Sequence, residues 1–540
     1  MPRHRDDQPA TVHELFTRAA RGRPGHPALV DESAYHAGRT RTYAELDDDS
    51  ARVAAGLHAA GLRRGDAIAF LLPTCTEWVI AFLAAARLGL LVVPLNTRYR
   101  GAELHHLLRT SQAKALVVAP EFESVELAAR LTEAWRHSGD LALRLLVPVH
   151  AQDVPGAPAH LERVPFARLS ERGAHPPAET GEPDDALIVF GTSGTTSAPK
   201  LAIHTQRTVS RHVPAAADAA ALDDTAVALS VLPLNGTFGF VPFLAGLTRG
   251  VTQTLLPVYR TGRVLDALRR HGITFLACAE GPLRDLLADA RLTAAAPALR
   301  HVVTAGVAID DIVRDAAAAG ITATNVYGSS EIFAFAATWP VSADAAQRAV
   351  PGGRPTAPGL RVRVSDVDTG AVLGPGAEGE LQFSGSTLFT GYLADAEATA
   401  RAHTADGWYR TGDRGSLLPG GGFRYHSRLG DAMRLKGYLV NPADVETHLT
   451  GHPAVHLAQL VGVRDDRTGD DQPVAFVTLR PGRTTTEAEL RDHCRAGLAG
   501  FKVPYRIHIL DEFPTTPSAN GDKIRKDLLR DTAARLLTGA

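Results

Sequence analysis

The chain has 540 residues, which predicts two or more domains because a domain typically takes roughly 100–200 residues. It is 45% hydrophobic and 21% charged, with 49 glycines and 34 prolines, and this composition excludes disordered, collagenous and fibrous proteins. The net charge of −2 provides no overall basic field that would draw the protein to nucleic acid or to an anionic membrane.

The N-terminal segment, MPRHRDDQPATVHELF, lacks the apolar region of a secretory signal. The three cysteines, Cys75, Cys278 and Cys494, lie far apart and form neither a CxxC pair nor a zinc-binding spacing. We therefore expect no disulfide framework and a reducing, cytoplasmic location.

The most apolar stretch runs from Val79 to Leu95. Arg87, Gly89 and Pro94 interrupt it, and it is too short for a membrane span of about 20 residues. It predicts a buried helix over roughly 76–87, a stop at Gly89 and a buried strand, LLVVP.

Amphipathic helices alternate with short apolar strands along the first 120 residues. Thr42 precedes a predicted helix that runs through Leu57, and strands are predicted at 66–72 and 115–118. The same alternation returns over 185–305, with the strands ALIVF, VALSVL, TFLAC and HVVTAG. The pattern predicts an α/β protein with largely parallel sheets.

Three later segments differ in character. Residues 151–185, rich in Pro, Ala, Glu and His, are interpreted as a surface loop. Residues 360–384 alternate with period 2 between Gly-rich turns, which predicts an antiparallel β subdomain, and a hairpin is predicted at 416–427. From about 430 onward, strands and helices predict a compact α+β unit large enough to fold alone.

A candidate phosphate-binding loop, FGTSGTTSAPK, occupies residues 190–200 directly after the strand ALIVF. Backbone N–H groups and hydroxyls in such a loop can surround an anion, and a lysine adds positive charge. The Walker pattern GxxxxGK(S/T) is absent because Leu201 follows the lysine. A flexible loop is the alternative interpretation. The candidate binding residues are Thr192, Ser193, Gly194, Thr195, Thr196 and Lys200.

The segment TSGTTSAPK resembles the TSGTTGxPKG loop of the adenylate-forming superfamily, the AMP-dependent synthetases and ligases. Ser197 replaces the usual glycine and Leu201 a small residue, while the hydroxyls remain. The resemblance implies a large domain, 1–427, of two packed and mainly parallel sheets plus a β subdomain, which binds ATP and acid. It also implies a small mobile α+β domain, 428–540, that carries a catalytic lysine.

Residues 325–331, NVYGSSE, resemble the NxYGxTE motif of the same superfamily. By this resemblance Tyr327 stacks on adenine, Ser330 donates to the phosphate under attack, and Glu331 is catalytic and binds Mg²⁺. A triphosphate held in line with a carboxylate needs such charge neutralisation. A tight turn at a strand end is the alternative.

Further nucleotide contacts are implied by three other motifs. Residues 304–308, TAGVA, loosely resemble a turn that lies against adenine and the acid, and an ordinary turn is the alternative. GWYRTGD resembles GWxxTGD, in which Asp413 accepts hydrogen bonds from both ribose hydroxyls. SRLGD resembles GRxxD, which brings Arg428 to the ribose. The other nucleotide contacts implied are Ala305, Gly306, Asn325 and Gly328.

Two features concern the C-terminal part. Gly430 falls at the family's hinge position, and glycine suits a pivot because its backbone is permissive. The segment TPSANGDKIRK resembles the TxxGKIxR loop, with Asp522 inserted before Lys523. By this resemblance Lys523 bridges the acid's carboxylate and the α-phosphate. Lys502 and Lys526 are rival candidates.

The acid pocket departs from the family. LPLNGTFG aligns with LPLFHxxG, so the usual histidine falls at Gly236. Glu280 has two interpretations, an exposed loop glutamate or a carboxylate that meets a substrate amine. The other pocket candidates are Asn235, Thr237, Phe238 and Thr304.

Metal sites other than Glu331 are not predicted. The 22 histidines form neither HExxH nor another ligand spacing, and His204, which follows the phosphate loop, is interpreted as structural.

Three functions remain open. The first is ATP-dependent activation of an aryl or fatty acid to an acyl-adenylate, with release of pyrophosphate and transfer to coenzyme A, and PLNTRYRGAEL resembles this branch. The second keeps adenylation but uses a carrier protein, an amine, or an unusual substrate such as nitrite in diazo formation. The third is nucleotide binding without catalysis, which the presence of Lys523 and Glu331 disfavours. We expect ATP and Mg²⁺ but no nucleic acid, and a homodimer is one option for assembly.

Overall fold

The computed structural model is a mixed α/β protein with two large sheets in its N-terminal part and smaller sheets in its C-terminal part. The predicted fold class is therefore confirmed. The structure describes residues 10–123, 126–136, 138–172, 181–192, 200–307, 309–429, 433–435, 438–440, 442–464, 471–498, 500, 502–518 and 521–538.

The larger sheet has fourteen strands within these ranges. Six neighbouring strands pair in parallel, and the rest of the sheet is antiparallel. The predicted β subdomain is antiparallel as expected, and hydrogen bonds join it to the parallel part in one continuous sheet. In spatial order the strands are Val372–Leu373, Arg361–Ser365, Glu378–Ser384, Tyr409–Leu417, Phe423–Arg428, Gly352–Pro355, Phe333–Thr338, Thr322–Ser329, His301–Thr304, Phe275–Ala277, Val227–Ser230, Thr252–Leu255, Pro27–Asp31 and Arg39–Thr42.

The second sheet has eight strands in the described part of the chain. It is parallel except at one edge, where the last two pairings are antiparallel. In spatial order its strands are Gly391–Tyr392, Leu201–Thr205, Ala186–Gly191, Leu91–Pro94, Ala67–Leu71, Ala115–Val118, Leu145–Pro148 and Glu162–Arg163.

The C-terminal part contains a three-stranded sheet and two hairpins among the residues described. The sheet buries two clusters of apolar side chains with the helices around it, which agrees with the predicted small α+β domain. The sheet consists of Val455–Arg464, Asp471–Leu479 and Arg506–Leu510; the hairpins pair Met433–Leu435 with Tyr438–Val440 and Thr515–Ser518 with Gly521–Ile524.

Helices surround and separate these sheets. They span Val12–Gly22, Tyr43–Ala59, Thr76–Leu88, Gly101–Ser111, Leu127–Trp135, Phe166–Arg172, Gln206–Ala219, Thr237–Thr248, Thr261–His271, Glu280–Leu287, Leu292–Ala295, Asp310–Ala318, Ala345–Ala349, Ala396–Arg401, Pro442–Thr450, Glu487–Gly497 and Lys526–Thr538, with a 3₁₀ turn at Ser138–Asp140.

The helix Thr76–Leu88 confirms the prediction made from the most apolar stretch. All its residues except Arg87 are buried, and it ends at Gly89, whose φ of +68° places it in the left-handed region. Phe82 packs edge-on against Phe240 of a second buried helix, with 5.2 Å between ring centroids. A helix that is apolar all round belongs in a core of this kind. No helix in the described ranges is long and apolar enough to cross a membrane.

The interpretation of residues 151–185 as a surface loop was wrong for part of the segment that the structure describes. The segment contains the edge strand Glu162–Arg163 and the helix Phe166–Arg172. Val164 and Leu169 are buried, and this helix lies against Gly56, where an added Cβ would meet the Leu169 carbonyl oxygen at 2.1 Å. Buried apolar side chains such as Val164 and Leu169 are thus enough to hold a short strand and a short helix against the rest of the domain, even in a largely polar segment.

Candidate active site

The base of the predicted phosphate loop is held closed by the sheet that carries it. The strands before and after the loop pair in antiparallel fashion, and the Thr192 N–H donates to the Lys200 carbonyl oxygen at 2.8 Å. The ends of the loop therefore lie side by side. Its remaining candidates, Ser193, Gly194, Thr195 and Thr196, lie outside the described residues, and anion binding by this loop stays a prediction.

Ser330 is anchored from two sides. Its Oγ donates to the Gly191 carbonyl oxygen at 3.1 Å, and its own carbonyl oxygen accepts from His204 Nε2 at 2.8 Å. Burial lowers the pKa of His204 to about 3, so the ring is neutral near pH 7. It also stacks on Phe333 with 3.7 Å between ring centroids. His204 is thus structural, as interpreted, and it fixes the backbone beside the phosphate loop.

Glu331 is buried and accepts hydrogen bonds at both carboxylate oxygens. The Ser329 hydroxyl donates to Oε2 at 2.7 Å, and the Tyr392 hydroxyl donates to Oε1 at 2.8 Å. Lys200 Nζ lies 5.1 Å from the centroid of the Tyr392 ring, at cation–π distance. Sequence analysis missed Tyr392, because no motif marks it and only the pairing of its short edge strand brings it here.

The setting of Glu331 fits Mg²⁺. Both hydroxyl donors are neutral, so they orient the carboxylate without cancelling its charge. Mg²⁺ prefers oxygen ligands and usually binds through one or two carboxylates together with substrate phosphates. Glu331 is therefore a suitable protein ligand for the ion that accompanies a triphosphate.

Tyr327, Asp413 and Arg428 meet in one polar group. The Tyr327 hydroxyl donates to Asp413 Oδ2 at 2.5 Å, and Arg428 Nη1 lies 3.1 Å from Asp413 Oδ1. Asp413 and Arg428 are direct partners on adjacent antiparallel strands. Burial raises the pKa of Asp413, and the Arg428 guanidinium opposes this by favouring the carboxylate. Three motif residues from distant segments thus form one cluster with a buried carboxylate.

The Tyr327 ring is packed among aromatic side chains. It stacks on Phe383 with 5.7 Å between centroids and meets Phe423 edge-on at 5.0 Å. The predicted stacking of this ring on adenine is not tested by these contacts.

Asn325 holds the turn at 305–306 in place. Its Nδ2 donates to the Gly306 carbonyl oxygen at 2.8 Å, and its Oδ1 accepts from the Gly306 N–H at 3.2 Å. A Cβ on Gly306 would lie 2.3 Å from Glu280 Oε2. Glycine therefore lets the turn pass close to the Glu280 carboxylate. Ala308, the last residue of this motif, lies outside the described residues.

A cavity of about 140 Å³ opens beside this turn. Five predicted site residues line it: Thr237, Phe238, Glu280, Ala305 and Gly328. Asn235 and Thr304 are not among the described residues that line it, although a side-chain oxygen of each is buried without a hydrogen-bond partner in the described structure. The remaining lining residues are Ala279, Val326 and Ala334.

Glu280 is not an exposed loop residue, so that interpretation was wrong. It is the first residue of the helix Glu280–Leu287, and its side chain is 31% exposed. Arg284 Nη1 lies 2.6 Å from Glu280 Oε1, and Arg284 Nε donates to Asp311 at 2.6 Å. Burial raises the pKa of Glu280, while Arg284 opposes the shift. The cavity thus has one carboxylate in its wall, that of Glu280. This carboxylate shares the Arg284 guanidinium with Asp311, which does not line the cavity.

Gly236, at the position of the family histidine, is the buried residue that precedes the helix Thr237–Thr248. The cavity wall therefore has no imidazole at this position.

Lys523 lies on the second strand of the last hairpin, opposite Thr516, and its side chain is exposed. Its rival Lys526 begins the final helix, with its Nζ 3.8 Å from Glu446 Oε1. The predicted hinge, Gly430, lies outside the described residues. The approach of Lys523 to a nucleotide stays a prediction.

Known protein families match both the N-terminal and the C-terminal part of the chain. The pattern of the AMP-binding enzyme family matches residues 16–393, and that of the AMP-binding enzyme C-terminal domain matches residues 444–520. A substituted propanoyl:CoA ligase of Mycobacterium tuberculosis is 31% identical over 528 residues, which cover 96% of this chain and 98% of the relative.

Two further proteins resemble the chain over nearly its whole length. The 4-coumarate–CoA ligase 3 of Oryza sativa subsp. japonica is 30% identical over 523 residues, which cover 94% of this chain and 90% of the relative. The crystal structure of ATP-bound MatB from Rhodopseudomonas palustris superposes with a TM-score of 0.83 at 25% identity, and covers 97% of this chain and 99% of that one.

Proposed function

This chain belongs to the family of AMP-binding enzymes, and we propose that it activates a small, polar-substituted carboxylic acid with ATP and passes the acyl group to coenzyme A. It is an AMP-forming acyl-CoA ligase, and ATP, Mg²⁺, a carboxylic acid and coenzyme A are its reactants and cofactor. The observation that carries the proposal is the meeting of Tyr327, Asp413 and Arg428 in one polar cluster around the buried Asp413 carboxylate.

The reaction has two balanced halves. First, a carboxylate oxygen of the acid attacks the α-phosphorus of ATP. The bond between the α-phosphorus and the oxygen that bridges it to the β-phosphorus breaks, which gives acyl-AMP and pyrophosphate. Second, the thiol sulfur attacks the acyl carbon, loses its proton and expels AMP. The protein supplies position and charge compensation for both steps and no covalent group.

The residues around Glu331 serve the phosphates in this proposal. Ser330 is held beside the phosphate-loop strand and offers a hydroxyl. Lys200, poised over the Tyr392 ring, offers a positive charge. Mg²⁺ bound by Glu331 would neutralise charge on the phosphates. Asp413 would accept from the ribose hydroxyls, with Arg428 compensating its buried charge.

The cavity supports a narrow choice of acid. At about 140 Å³ it is smaller than the roughly 300 Å³ at which drug-sized ligand pockets begin. Phe238 and Val326 offer apolar wall, and Glu280 offers a hydrogen-bond acceptor. The acid that would fill this cavity is a single-ring aromatic acid or a short acid, in either case with an amino or hydroxyl group at its far end. That group would donate a hydrogen bond to Glu280.

The function is tested by ATP–pyrophosphate exchange with a panel of acids, followed by product analysis with coenzyme A, amines or nitrite. We expect exchange with substituted benzoates and a thioester as the product. No exchange with any acid would contradict adenylation. Exchange that yields a product only with an amine or nitrite would contradict transfer to coenzyme A.

The acid class is tested by Glu280→Gln, which keeps the size of the side chain and removes its charge. A hydrogen bond to a charged group contributes ~1.5–3 kcal/mol, so kcat/KM for amino- or hydroxybenzoate should fall roughly 10–100-fold. Unsubstituted benzoate should be affected little. Asp285→Asn, at an exposed position on the same helix, is the matched control. An equal loss for benzoate would contradict the role of Glu280 without contradicting adenylation.

Three broader expectations belong to this proposal. We place the domain boundary at 427/428 with the pivot at Gly430, and we expect the small domain to move between the two half-reactions. We also expect a cytoplasmic enzyme, for which the buried thiols of Cys75, Cys278 and Cys494 are suitable. Assembly as a homodimer is tested by analytical ultracentrifugation.

A further inference from the structure

Three residues outside the nucleotide site bring metal-binding atoms together. His36 Nε2 lies 2.8 Å from Glu77 Oε1, and His150 Nε2 lies 3.1 Å from the same oxygen. One ligand atom from each of the three residues lies within 4.8 Å of the others. We propose that His36, Glu77 and His150 form a binding site for a transition-metal ion of the Zn²⁺ type.

The three residues come from different parts of the fold. His36 lies in the connection between strands Pro27–Asp31 and Arg39–Thr42 of the larger sheet, while His150 follows the strand Leu145–Pro148 of the second sheet. Glu77 lies in the first turn of the buried helix Thr76–Leu88. An ion bound by all three would link the two sheets through this helix.

Hydrogen bonds to Asp31 hold the backbone near His36 and Glu77 in place. Asp31 is fully buried, and its Oδ2 accepts from the N–H and the hydroxyl of Thr76, both at 2.7 Å. Its Oδ1 accepts from the Ser33 N–H at 2.8 Å. Asp31 thus fastens the start of the loop that carries His36 to the residue before Glu77. Ligands held by such hydrogen bonds need little reorganisation to bind an ion.

The second carboxylate oxygen of Glu77 points to the same conclusion. Glu77 is 8% exposed, and its Oε2 is buried without a hydrogen-bond partner in the described structure. A buried carboxylate oxygen that lacks a partner is costly, since its desolvation is uncompensated. Coordination that includes Oε2 would satisfy this group.

The distances suit a four-coordinate ion. Zn–N and Zn–O bonds of ~2.0–2.2 Å in a tetrahedron place ligand atoms about 3.4 Å apart. The two contacts with Glu77 Oε1, at 2.8 and 3.1 Å, would lengthen by about 0.6 and 0.3 Å, and the ligand atoms of the two histidines already lie within 4.8 Å of each other. Two imidazoles and a carboxylate are a usual ligand set for Zn²⁺, with water in the fourth position.

Access for the ion is also present. His150 and Tyr35 line a cavity of about 550 Å³, which provides a path for a hydrated ion and space for its water ligand. The Tyr35 ring stacks on the imidazole of His150 with 4.3 Å between centroids, which fixes the direction of that ligand. His36 approaches from the other side, with its ring edge-on to that of His150.

The test is the zinc stoichiometry and affinity of the nucleotide-free full-length chain. After treatment with a chelator and dialysis against Zn²⁺, the wild type should retain one equivalent measured by inductively coupled plasma mass spectrometry. Glu77→Gln and the double variant H36Q/H150Q should lose this equivalent or bind at least tenfold more weakly. A wild type that retains no more zinc than the double variant would overturn the proposal.

Two controls separate this site from others. His160→Gln, at an exposed position, should keep the equivalent, and so should Glu331→Gln. Loss of the ion in Glu331→Gln with retention in Glu77→Gln would place it at the nucleotide site and overturn the proposal.

A measurement on the wild type alone covers the case in which variants fail to fold. Loaded with Co²⁺, the protein should show the intense visible d–d bands of a four-coordinate ion, and X-ray absorption of the zinc form should show two imidazole ligands. The weak bands of six-coordinate Co²⁺, or an absence of imidazole scattering, would show that the three residues form only a hydrogen-bonded cluster.

Discussion

Glu331 shows how single hydroxyl groups prepare a carboxylate for its role. Ser329 and Tyr392 each donate to one of its oxygens, so the group is oriented before any ion or phosphate arrives. Preorganisation of this kind reduces the free energy spent on reorganisation when the substrate binds. In the proposed mechanism Tyr392 would act through Glu331, as a positioning residue.

Tyr392→Phe should weaken the use of Mg²⁺ without changing the fold. The variant keeps the ring beneath Lys200 and removes only the hydroxyl that donates to Glu331 Oε1. We expect about a tenfold increase in the Mg²⁺ concentration needed for half-maximal exchange, because a hydrogen bond to a charged group is lost. Steady-state exchange at varied Mg²⁺ measures this shift. Tyr505→Phe, at a residue that is 58% exposed, is the control, and an equal effect in both variants would contradict the role.

Single residues also mark the limit of sequence reasoning. The pairing of Asp413 with Arg428 could be anticipated, because each lies in a motif that resembles a ribose contact. Tyr392 could not, since a two-residue edge strand carries no periodic signal. Glu280 was ambiguous because its partner Arg284 also binds Asp311, and that second contact is recognisable only after two helices pack together.

At the scale of elements, close backbone approach decides where helices pack. Gly56 lies on the helix Tyr43–Ala59 at its contact with the helix Phe166–Arg172. An added Cβ there would meet the Leu169 carbonyl oxygen at 2.1 Å and its carbonyl carbon at 2.7 Å. Backbone atoms cannot move aside as a flexible side chain can. The two helices therefore depend on this glycine for their separation.

Gly56→Ala should lower the free energy of unfolding by about 1–3 kcal/mol, the usual range for overpacking a core. Gly262→Ala is the matched control, because this exposed helical glycine has nothing within 4 Å of an added Cβ. It should stabilise the protein by up to about 1 kcal/mol through helix propensity. Urea denaturation followed by circular dichroism measures both. A neutral effect of Gly56→Ala would mean that the helix Phe166–Arg172 shifts freely.

Elements were predictable where local chemistry signals their ends. Thr42 and Glu45 form a capping box at the start of a long helix, and Gly89 ends another in the left-handed conformation. The helix Phe166–Arg172 has no comparable cap signal and follows a polar segment. Its existence depends on contacts with a helix more than one hundred residues earlier, which no local pattern reveals.

At the scale of the whole molecule, catalysis is expected to draw on both parts of the chain. The cluster of Tyr327, Asp413 and Arg428 belongs to the larger sheet, and the predicted catalytic lysine belongs to the last C-terminal hairpin. The three metal-binding candidates likewise come from both sheets and a buried helix. Such assemblies escape sequence reasoning because the spacing of their residues along the chain carries no ligand pattern.

Lys523→Ala should lower the rate of adenylate formation by orders of magnitude and leave ATP binding nearly intact. The reason is that its ammonium group would stabilise charge on the carboxylate and α-phosphate in the transition state more than in the ground state. Single-turnover kinetics and equilibrium ATP binding measure the two quantities separately. Lys502→Ala and Lys526→Ala are the comparisons, and a larger rate loss in either would reassign the catalytic lysine.

Two hydrogen bonds hold the end of the strand Phe423–Arg428 to the neighbouring strand. Arg428 Nη1 donates to the Thr411 carbonyl oxygen at 2.8 Å, and the Leu429 N–H donates to the Gly412 carbonyl oxygen at 2.9 Å. Two hydrogen bonds thus join this end of the strand to the segment that bears Asp413, the proposed ribose ligand. In the proposed mechanism the bend between the two half-reactions would therefore lie beyond residue 429, and rotation of the small domain would leave the proposed ribose contact in place.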